Sequence, residues 1–335
     1  MTNFPLLKLP VLALDTVMDV MMPNQIFKLA MCSSHIESML RRRKYKTDGV
    51  HIHLRNKVFL QLDFTHLDDC HSIVFESIKS PLVEVPLRDR YTDDIDKFMF
   101  LTHASFDEMI LIQKSLFDIC DFSFMEWILY IDPSRKHQFF QLLDKVLKTE
   151  YTKLTILGDE MSDSMLTEVH NNVPTTKELE IRSEMGFFFD HPNALKHFKT
   201  HFNYARWVTV ENLFSIRNVD SVKLFRTGFD CYDLNRFLRY WVNCNEFMLR
   251  RLEIGLRRSV YDEEIITNQL TTVSFNDNGY PEIFMKSRND AGQKYILGHL
   301  ELKEESAVFS TWEEFRHVPN FDGRRYRRLK FALLL

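Results

Sequence analysis

Residues 4–45 have the sequence FPLLKLPVLALDTVMDVMMPNQIFKLAMCSSHIESMLRRRKY, and this stretch decides the fold of the N-terminal region. Pro10 fixes its own φ and biases Leu9 toward an extended backbone, so the chain enters a first helical pattern at a defined angle. Pro23 ends that pattern, and Asn24 is a suitable N-cap for a second helix. The first half of the stretch therefore predicts two short helices.

The second half of the same stretch predicts a third helix. Ser34 and Glu37 have the spacing of a capping box, and the cations of Arg41–Lys44 suit a helix C-terminus. This basic run also has the composition of a nuclear localisation signal. A unit of under about 50 residues with this much apolar surface usually needs a partner to bury it. We therefore expect this region to act by binding and not by catalysis.

The N-terminal stretch resembles an F-box. That family opens with Leu-Pro, has an aliphatic residue several positions later, and has a Leu-rich second helix that ends in Cys. These places are held here by Leu9, Pro10, Val17, Leu29 and Cys32. The resemblance implies that residues 4–46 bind the Skp-type adaptor of SCF (cullin-RING) ubiquitin ligases, and through it a cullin. The adaptor-facing residues that it implies are Leu9, Pro10, Val17, Met21, Leu29 and Cys32.

Two positions depart from the F-box pattern. Leu12 stands where the family often has an acidic residue, and Ile36 stands where many members have Trp. Both residues are apolar and compatible with a helix. An ordinary N-terminal three-helix packing element is the alternative interpretation of the stretch.

Composition and charge limit the class of protein. The net charge of −4 and the isoelectric point near 6.4 argue against a general nucleic-acid binder, which needs a strong positive field. The chain has neither a GxGxxG nor a GxxxxGKS/T motif, so a phosphate-binding loop is not predicted. Its five cysteines lack close paired spacing, which indicates free thiols in a reducing compartment. With no evident signal peptide or membrane-spanning run, we expect a protein of the cytoplasm or nucleus without a membrane partner.

Residues 47–150 are predicted to form a mixed segment in which β-strands precede α-helices. The sequence HIHLRNKVFLQLDF alternates apolar and polar residues on both sides of Arg55, as in a β-hairpin. The run LVEVPL continues this pattern, and its Pro86 favours a strand at the edge of a sheet. Helical periodicity replaces the alternation over residues 105–120, and a further helical pattern begins after Asp132.

Residues 151–335 contain short strand patterns separated by helical patterns or polar turns. The predicted strands begin at Lys153, Glu178, Trp207, Ser221, Arg251 and Thr272. A strand, a crossover helix and a second strand imply parallel pairing with the helices on one face, and the spacing is close to that of leucine-rich repeats. Because their LxxLxLxxN consensus is missing, we predict an irregular leucine-rich-repeat-like α/β region, with a plain open α/β sheet as the alternative. The predicted fold class is thus α+β or α/β, a small three-helix F-box followed by this region.

Residues 206–256 are similar to the type 2 F-box-associated domain of the large nematode F-box family. The matching marks are Trp207, a strand at 222–225, Asp233, Leu234, Asn235, Phe237, Leu238, Trp241, Leu252 and Glu253. In that family this domain follows the F-box in the chain, as it does here. The resemblance implies that the C-terminal region binds the protein destined for ubiquitylation.

Two groups of histidines invite a metal-site interpretation. His51 and His53 would share one face of a strand, and residues 66–71 contain a second group. Zinc sites need four convergent ligands, whereas residues 66–71 form a polar, loop-like run, so a solvated turn is favoured. We predict no metal, no cofactor and no catalytic residue. A hydrolase whose catalytic residues assemble only in space is a remote alternative.

Aromatic residues between the predicted strands are candidates for contact with a target protein, since exposed aromatics in loops are typical interface anchors. These candidates are Phe187, Phe188, Phe202 and Tyr204. Together with the two resemblances, they predict a non-catalytic receptor that holds a target protein for an SCF-type ubiquitin ligase. The alternative is a repeat-like interaction scaffold whose N-terminal helices only cap a sheet.

Overall fold

The computed structural model describes most of the chain in two compact units. The described residues are 10–21, 23–54, 58–66, 69–77, 84–87, 95–102, 110, 114, 118–132, 136–257, 261–275, 281–287, 296–312 and 333. Of these, residues 11, 23, 24, 27, 31, 32, 58, 59 and 64–102 are described by their backbone alone. The first unit comprises Met1–Tyr130 with Glu150–Thr152, and the second comprises Ile131–Thr149 with Lys153–Leu335.

The N-terminal sequence forms the three short helices that it predicts. They are α1 (Val11–Val20), α2 (Pro23–Cys32) and α3 (Ser34–Arg43). Helix α2 begins at Pro23, because a proline suits the first turn, where its missing N–H needs no partner. Asn24 is therefore the second residue of the helix, and the prediction that it is the N-cap is wrong.

A small apolar core joins these helices. The residues that form it are Leu14, Met18, Ile26, Ile36, Met39 and Leu40, each at most 4% exposed. The N-cap of α3 is Ser33 and not Ser34: its side chain accepts a hydrogen bond from the N–H of Ile36 at 3.4 Å. Helix α3 is held to α1 by Arg43, which donates to the carboxylate of Asp19.

The strands of the first unit form one mixed sheet and one strand pair. Their bounds are β1 (Tyr45–Thr47), β2 (Gly49–Leu54), β3 (Val58–His66), β4 (Asp69–Ser77), β5 (Glu84–Leu87), β6 (Ile95–Thr102), β7 (Cys120–Phe122) and β8 (Met125–Tyr130). In this unit the order of the sheet is β8-β2-β3-β4-β6-β5, and β1 pairs with β7 in parallel. The predicted antiparallel hairpin is confirmed, since Leu54 of β2 is opposite Val58 of β3. The helix predicted over residues 105–120 falls mostly outside the described residues.

The second unit combines helices with a sheet that is parallel in one half and antiparallel in the other. Its elements are α4 (Lys136–Leu147), β9 (Lys153–Met161), α5 (Asp163–Asn172), β10 (Glu178–Met185), β11 (Lys199–Phe202), α6 (Val210–Phe214), β12 (Val219–Leu224), α7 (Cys231–Asn243), β13 (Leu249–Gly255), α8 (Glu263–Thr267), β14 (Thr272–Phe275), β15 (Glu282–Lys286), β16 (Leu297–Leu302) and β17 (Ser306–Trp312). The order within this unit is β9-β10-β11-β12-β13-β17-β16-β15-β14. Strands β9 to β13 are parallel, and the remaining pairings are antiparallel.

Most of the predicted strands of the second unit are present, and two differences have clear causes. No strand begins at Trp207, because Thr209 and Asn212 form a capping box that starts α6 instead. Strand β11 was not predicted; it is four residues long and only Thr200 and Phe202 face the core. The second unit is therefore mixed α/β, and within it parallel pairing is limited to β9–β13.

The parallel strands bury one face against helices. Phe202 of β11 packs against His170 of α5 and against Trp207, with ring centroids 6.0 and 5.4 Å apart. The register of the sheet places Phe309 of β17 on the same side. There it packs edge-to-face against Trp241 of α7, with centroids 4.9 Å apart. Polar and aromatic side chains occupy the carboxyl ends of these strands and the face of the sheet that is opposite the helices.

Candidate binding surfaces

The first candidate surface is the outer side of helix α1. Leu14 and Met18 are buried in the helical core, whereas the side chains of Leu12 and Val20 are 82% and 67% exposed. Helix α1 thus has apolar side chains on its buried side and also on its solvent-exposed side. Large apolar side chains left in water favour association with another surface.

The predicted adaptor-facing residues lie partly on this surface. Pro10 is exposed, and Val17, Met21 and Leu29 are partly buried. Leu9 falls outside the described residues, and Cys32 is described only by its backbone. Four of the six predicted positions are therefore at least partly accessible in the free chain.

The basic run at the end of α3 forms ion pairs within its own unit. Arg41 lies 2.8 Å from the carboxylate of Glu37 and also pairs with Asp118. Arg43 pairs with Asp19 and lies 3.5 Å from Asp15. These pairs hold the helices to each other and to residues just before β7, and they partly neutralise the run.

The second candidate surface lies at the carboxyl ends of β10, β11 and β12. Phe187 and Phe188 follow β10, and their side chains are 62% and 96% exposed. Tyr204 follows β11 and is partly buried. Phe202 is 0% exposed within the core, so the prediction that its ring contacts a target is wrong. Its position at the end of a strand, which the sequence did not reveal, turns it inward.

Two arginines stack on the aromatic rings of this edge. The guanidinium carbon of Arg206 lies 5.7 Å from the ring centre of Phe187, and that of Arg226 lies 4.4 Å from the ring centre of Tyr204. Both arginines are exposed. The structure records no ion pair for either side chain within the described part of the chain. We call Phe187, Phe188, Tyr204, Arg206 and Arg226 the arginine–aromatic surface.

The face of the parallel strands that is opposite the helices is polar. At its centre Glu180 of β10, 2% exposed, lies 2.6 Å from Lys153 and 2.9 Å from the Nδ1 atom of His201, and it accepts a hydrogen bond from Arg182. Burial opposes ionisation of Glu180, but the hydrogen bonds outweigh it and hold its pKa well below the usual range. A carboxylate so strongly held in its charged form is a weak general base. The cluster therefore supports the sheet and does not favour a hydrolytic site.

A group of three histidines, of which His170 and His197 are buried, lies between α5 and β11. The Nδ1 atom of His170 is 3.1 Å from the Nε2 atom of His197, and the ring of His191 stacks on His170 with centroids 5.3 Å apart. Burial lowers the pKa of His197 to about 4 and holds the pKa of His170 well below 6.5. Within the described residues, no group of His, Cys, Asp and Glu side chains has the arrangement of a metal site. These rings form an aromatic packing cluster with Phe189.

His51 of β2 lies between two carboxylates. Its Nε2 atom is 3.1 Å from Asp63, and its Nδ1 atom is 2.8 Å from Glu126. Burial disfavours the charged imidazole, but hydrogen bonds to Asp63 and Glu126 prevail and raise the pKa of His51 to about 9. His53, two residues on, has its pKa lowered to about 4 by burial. At neutral pH His51 is therefore cationic within its ion-pair network, whereas His53 is a neutral, packed ring.

Sequence reasoning missed the two stacked arginines, although it selected the rings beside them. Each arginine soon follows a strand end, but the ring on which it stacks belongs to a different loop. The pairing therefore depends on the order of the strands, which a single sequence does not give directly. No helix in the described part of the chain is long and apolar enough to cross a membrane.

The chain is similar to a nematode protein. This relative is the Skn-1 dependent zygotic transcript 15 protein of Caenorhabditis elegans, which is 22% identical over 292 residues, covering 76% of this chain and 80% of the relative. Because neither unit alone makes up that share of the chain, the similarity includes residues of both. No family model matches the chain, and no solved structure matches it.

Proposed function

We propose that this protein is a non-catalytic substrate receptor of an SCF-type ubiquitin ligase. Residues 4–46 would bind a Skp-type adaptor, and through it a cullin, while the C-terminal region would bind a target protein. The observation that carries the proposal is helix α1 after Pro10, which closes a small core with Leu14 and Met18 and leaves Leu12 and Val20 in water. An apolar surface on a helical unit of this size is suited to helix–helix docking.

The C-terminal region supplies a second, separate surface for the target. The loops after β10, β11 and β12 carry exposed aromatic and cationic side chains, and they are connected to a sheet whose apolar face is buried. Loops held by a rigid sheet are the usual place for recognition residues. The two candidate surfaces belong to different units of the chain, as a receptor that joins two proteins requires.

The proposed role needs no acid, base or nucleophile from this chain. A receptor that holds a target raises the effective concentration of the target's lysines near the conjugating enzyme. The strongly ionised Glu180 and the buried neutral His170 agree with this role, since neither has the pKa of a group that exchanges protons near neutral pH.

An interaction scaffold without ligase function is the second candidate. It is favoured by the division of the structure, in which α1–α3 and the strands up to Tyr130 form one compact unit. The ion pair between Arg41 and Asp118 contributes to this attachment. In this alternative the helices only cap the strands, and the exposed side of α1 has no adaptor to bind.

A pull-down separates the two candidates. Purified full-length protein should retain a purified Skp-type adaptor, and the double variant Leu9→Ala, Pro10→Ala should lose it while keeping its circular dichroism spectrum. Ser38→Ala, on the exposed side of α3, is the matched control and should retain the adaptor. If the wild-type protein binds no adaptor paralogue, the ligase proposal is wrong and the scaffold is favoured.

A further inference from the structure

We propose that the arginine–aromatic surface binds an extended, anionic peptide segment of the target protein. The inference deepens the proposed function, because it rests on the C-terminal region binding a target and assigns the chemistry of the segment that is bound. It commits to a peptide with negative charges at two alternate positions and an apolar side chain at the next alternate position, on the same side of the peptide.

The loop after β11, which carries Tyr204 and Arg206, is tied to the strands on both sides. The N–H of Asn203 donates to the carbonyl of Ile181 at 3.1 Å, which joins this loop to β10. The N–H of Ala205 donates to the carbonyl of Phe225 at 2.9 Å, which joins the same loop to the end of β12. Tyr204 and Arg206 are therefore presented by a fixed backbone, which lowers the cost of ordering them on binding.

The contact with a ring uses no N–H donor of either guanidinium. Arg206 lies over the ring of Phe187 and Arg226 over that of Tyr204, and a guanidinium carries its N–H donors at the edge of its plane. A carboxylate or a phosphate accepts two parallel hydrogen bonds from such an edge. No carboxylate in the described part of the chain forms an ion pair with either arginine, so these donors are available to a partner.

The backbone of Arg226 makes a clean substitution possible. Its φ of 48° lies in the left-handed region, as do those of Lys44, Asn218 and Gln269, and this region favours glycine. Glycine at position 226 therefore removes the guanidinium without straining the backbone.

The spacing of the strands sets the spacing of the charges. Arg206 follows β11 and Arg226 follows β12, and neighbouring strands lie about 4.8 Å apart. Alternate side chains of an extended peptide point to the same side and are about 7 Å apart, within reach of two long arginine side chains. Phe188, 96% exposed, offers an apolar contact to a side chain at the next alternate position of the peptide. Because the whole chain has a net charge of −4, general attraction would not bring an acidic peptide to it.

Fluorescence anisotropy with full-length protein tests the inference. The probe is a fluorescein-labelled peptide with two glutamates at alternate positions and a leucine at the next alternate position, and the matched probe has glutamine in place of each glutamate. We expect at least about ten-fold tighter binding of the glutamate peptide, as for loss of a charge-assisted hydrogen bond. A phosphoserine version tells whether phosphate is preferred to carboxylate, and tight binding of either anionic peptide supports the surface.

Arg226→Gly is the decisive variant. It removes the guanidinium but suits the left-handed backbone, so it should lose at least about ten-fold in affinity without losing thermal stability. Arg239→Ala, an exposed arginine of α7, is the matched control and should bind as the wild type does. Binding of both anionic peptides no tighter than that of the glutamine peptide, or unchanged affinity in Arg226→Gly, would overturn the inference. Adaptor retention by the same preparations shows separately whether the proposed ligase function stands.

Discussion

The Nδ1 atom of His170 lies 3.1 Å from the Nε2 atom of His197, and both rings are buried in the second unit. Two N–H groups cannot share this contact, so one nitrogen carries the hydrogen and the other accepts it. The network assigns the hydrogen to Nδ1 of His170, because Nδ1 of His197 then donates to the carbonyl of Pro174 at 3.4 Å. Burial lowers the pKa of both rings, so both are neutral in the folded protein at neutral pH.

This pair predicts that acid destabilises the second unit. Burial lowers the pKa of His197 to about 4 and that of His170 well below 6.5. Between each lowered pKa and the unfolded value of 6.5, the unfolded chain therefore binds more protons than the folded chain. Stability is thus lost as pH falls below 6.5, by up to about 1.4 kcal/mol per pH unit for each histidine. Urea unfolding at a series of pH values measures this slope. His197→Gln should have a shallower slope, and identical slopes in the two proteins would contradict the prediction.

His51 predicts the opposite dependence for the first unit. Its pKa of about 9 is above the unfolded value of 6.5, so its ion pairs stabilise fully below pH 6.5 and are lost as pH rises through 9. His51→Gln should lower the free energy of unfolding at neutral pH by about 1–3 kcal/mol and remove the alkaline loss. His53→Gln is the control, since burial already keeps His53 neutral. An unchanged alkaline limb in His51→Gln would refute this assignment.

Gly298 of β16 is predicted to tolerate no side chain. A Cβ atom there would lie 2.8 Å from the ring of Trp241 and 2.9 Å from the ring of Phe309. Gly298→Ala should therefore lower stability by about 1–3 kcal/mol, as other overpacked cores do. Gly228→Ala is the matched control, because a Cβ atom there has no neighbour within 4 Å. Thermal unfolding compares the two variants, and equal melting temperatures would contradict the packing described.

Asn235 is predicted to join α7 to the end of α8. Its side-chain amide donates to the carbonyls of Ile266 at 2.8 Å and Asn268 at 2.9 Å. Asn235→Ala would leave both carbonyls without this donor and should cost about 1–3 kcal/mol of stability. Asn243→Ala on the same helix removes an exposed hydrogen bond to Arg239 and should cost much less. A similar loss in both variants, measured by urea unfolding, would argue against the role of Asn235.

The elements with strong local patterns were predictable from sequence. The strands that begin at Lys153 and Glu178 and the helix that contains Trp241 have regular apolar spacing and are present. The strand expected at Trp207 is absent because a capping box at Thr209 is a stronger local signal for a helix. A pattern of apolar residues fixes which side chains are buried, but it does not fix where a short strand ends.

The candidate target-binding surface was only half predictable. The exposure of aromatic residues such as Phe188 can be predicted from their position in a loop. The burial of Phe202 depends on β11, a strand too short for its alternation of apolar and polar residues to be recognised. The arginines Arg206 and Arg226 meet their rings only because β10, β11 and β12 lie side by side. Contacts between loops of adjacent strands are decided by topology, which local sequence does not encode.

The central claim is that the N-terminal helices bind a Skp-type adaptor. Isothermal titration of the full-length protein with purified adaptor tests it most directly, using Val17→Asp with Met21→Asp as the interface variant and Ser38→Asp as the control with added charge on α3. We expect saturable binding by the wild type and by Ser38→Asp, and loss of binding in the double variant with an unchanged circular dichroism spectrum. Absence of heat and of saturation with every adaptor paralogue, or full binding by the double variant, would contradict it.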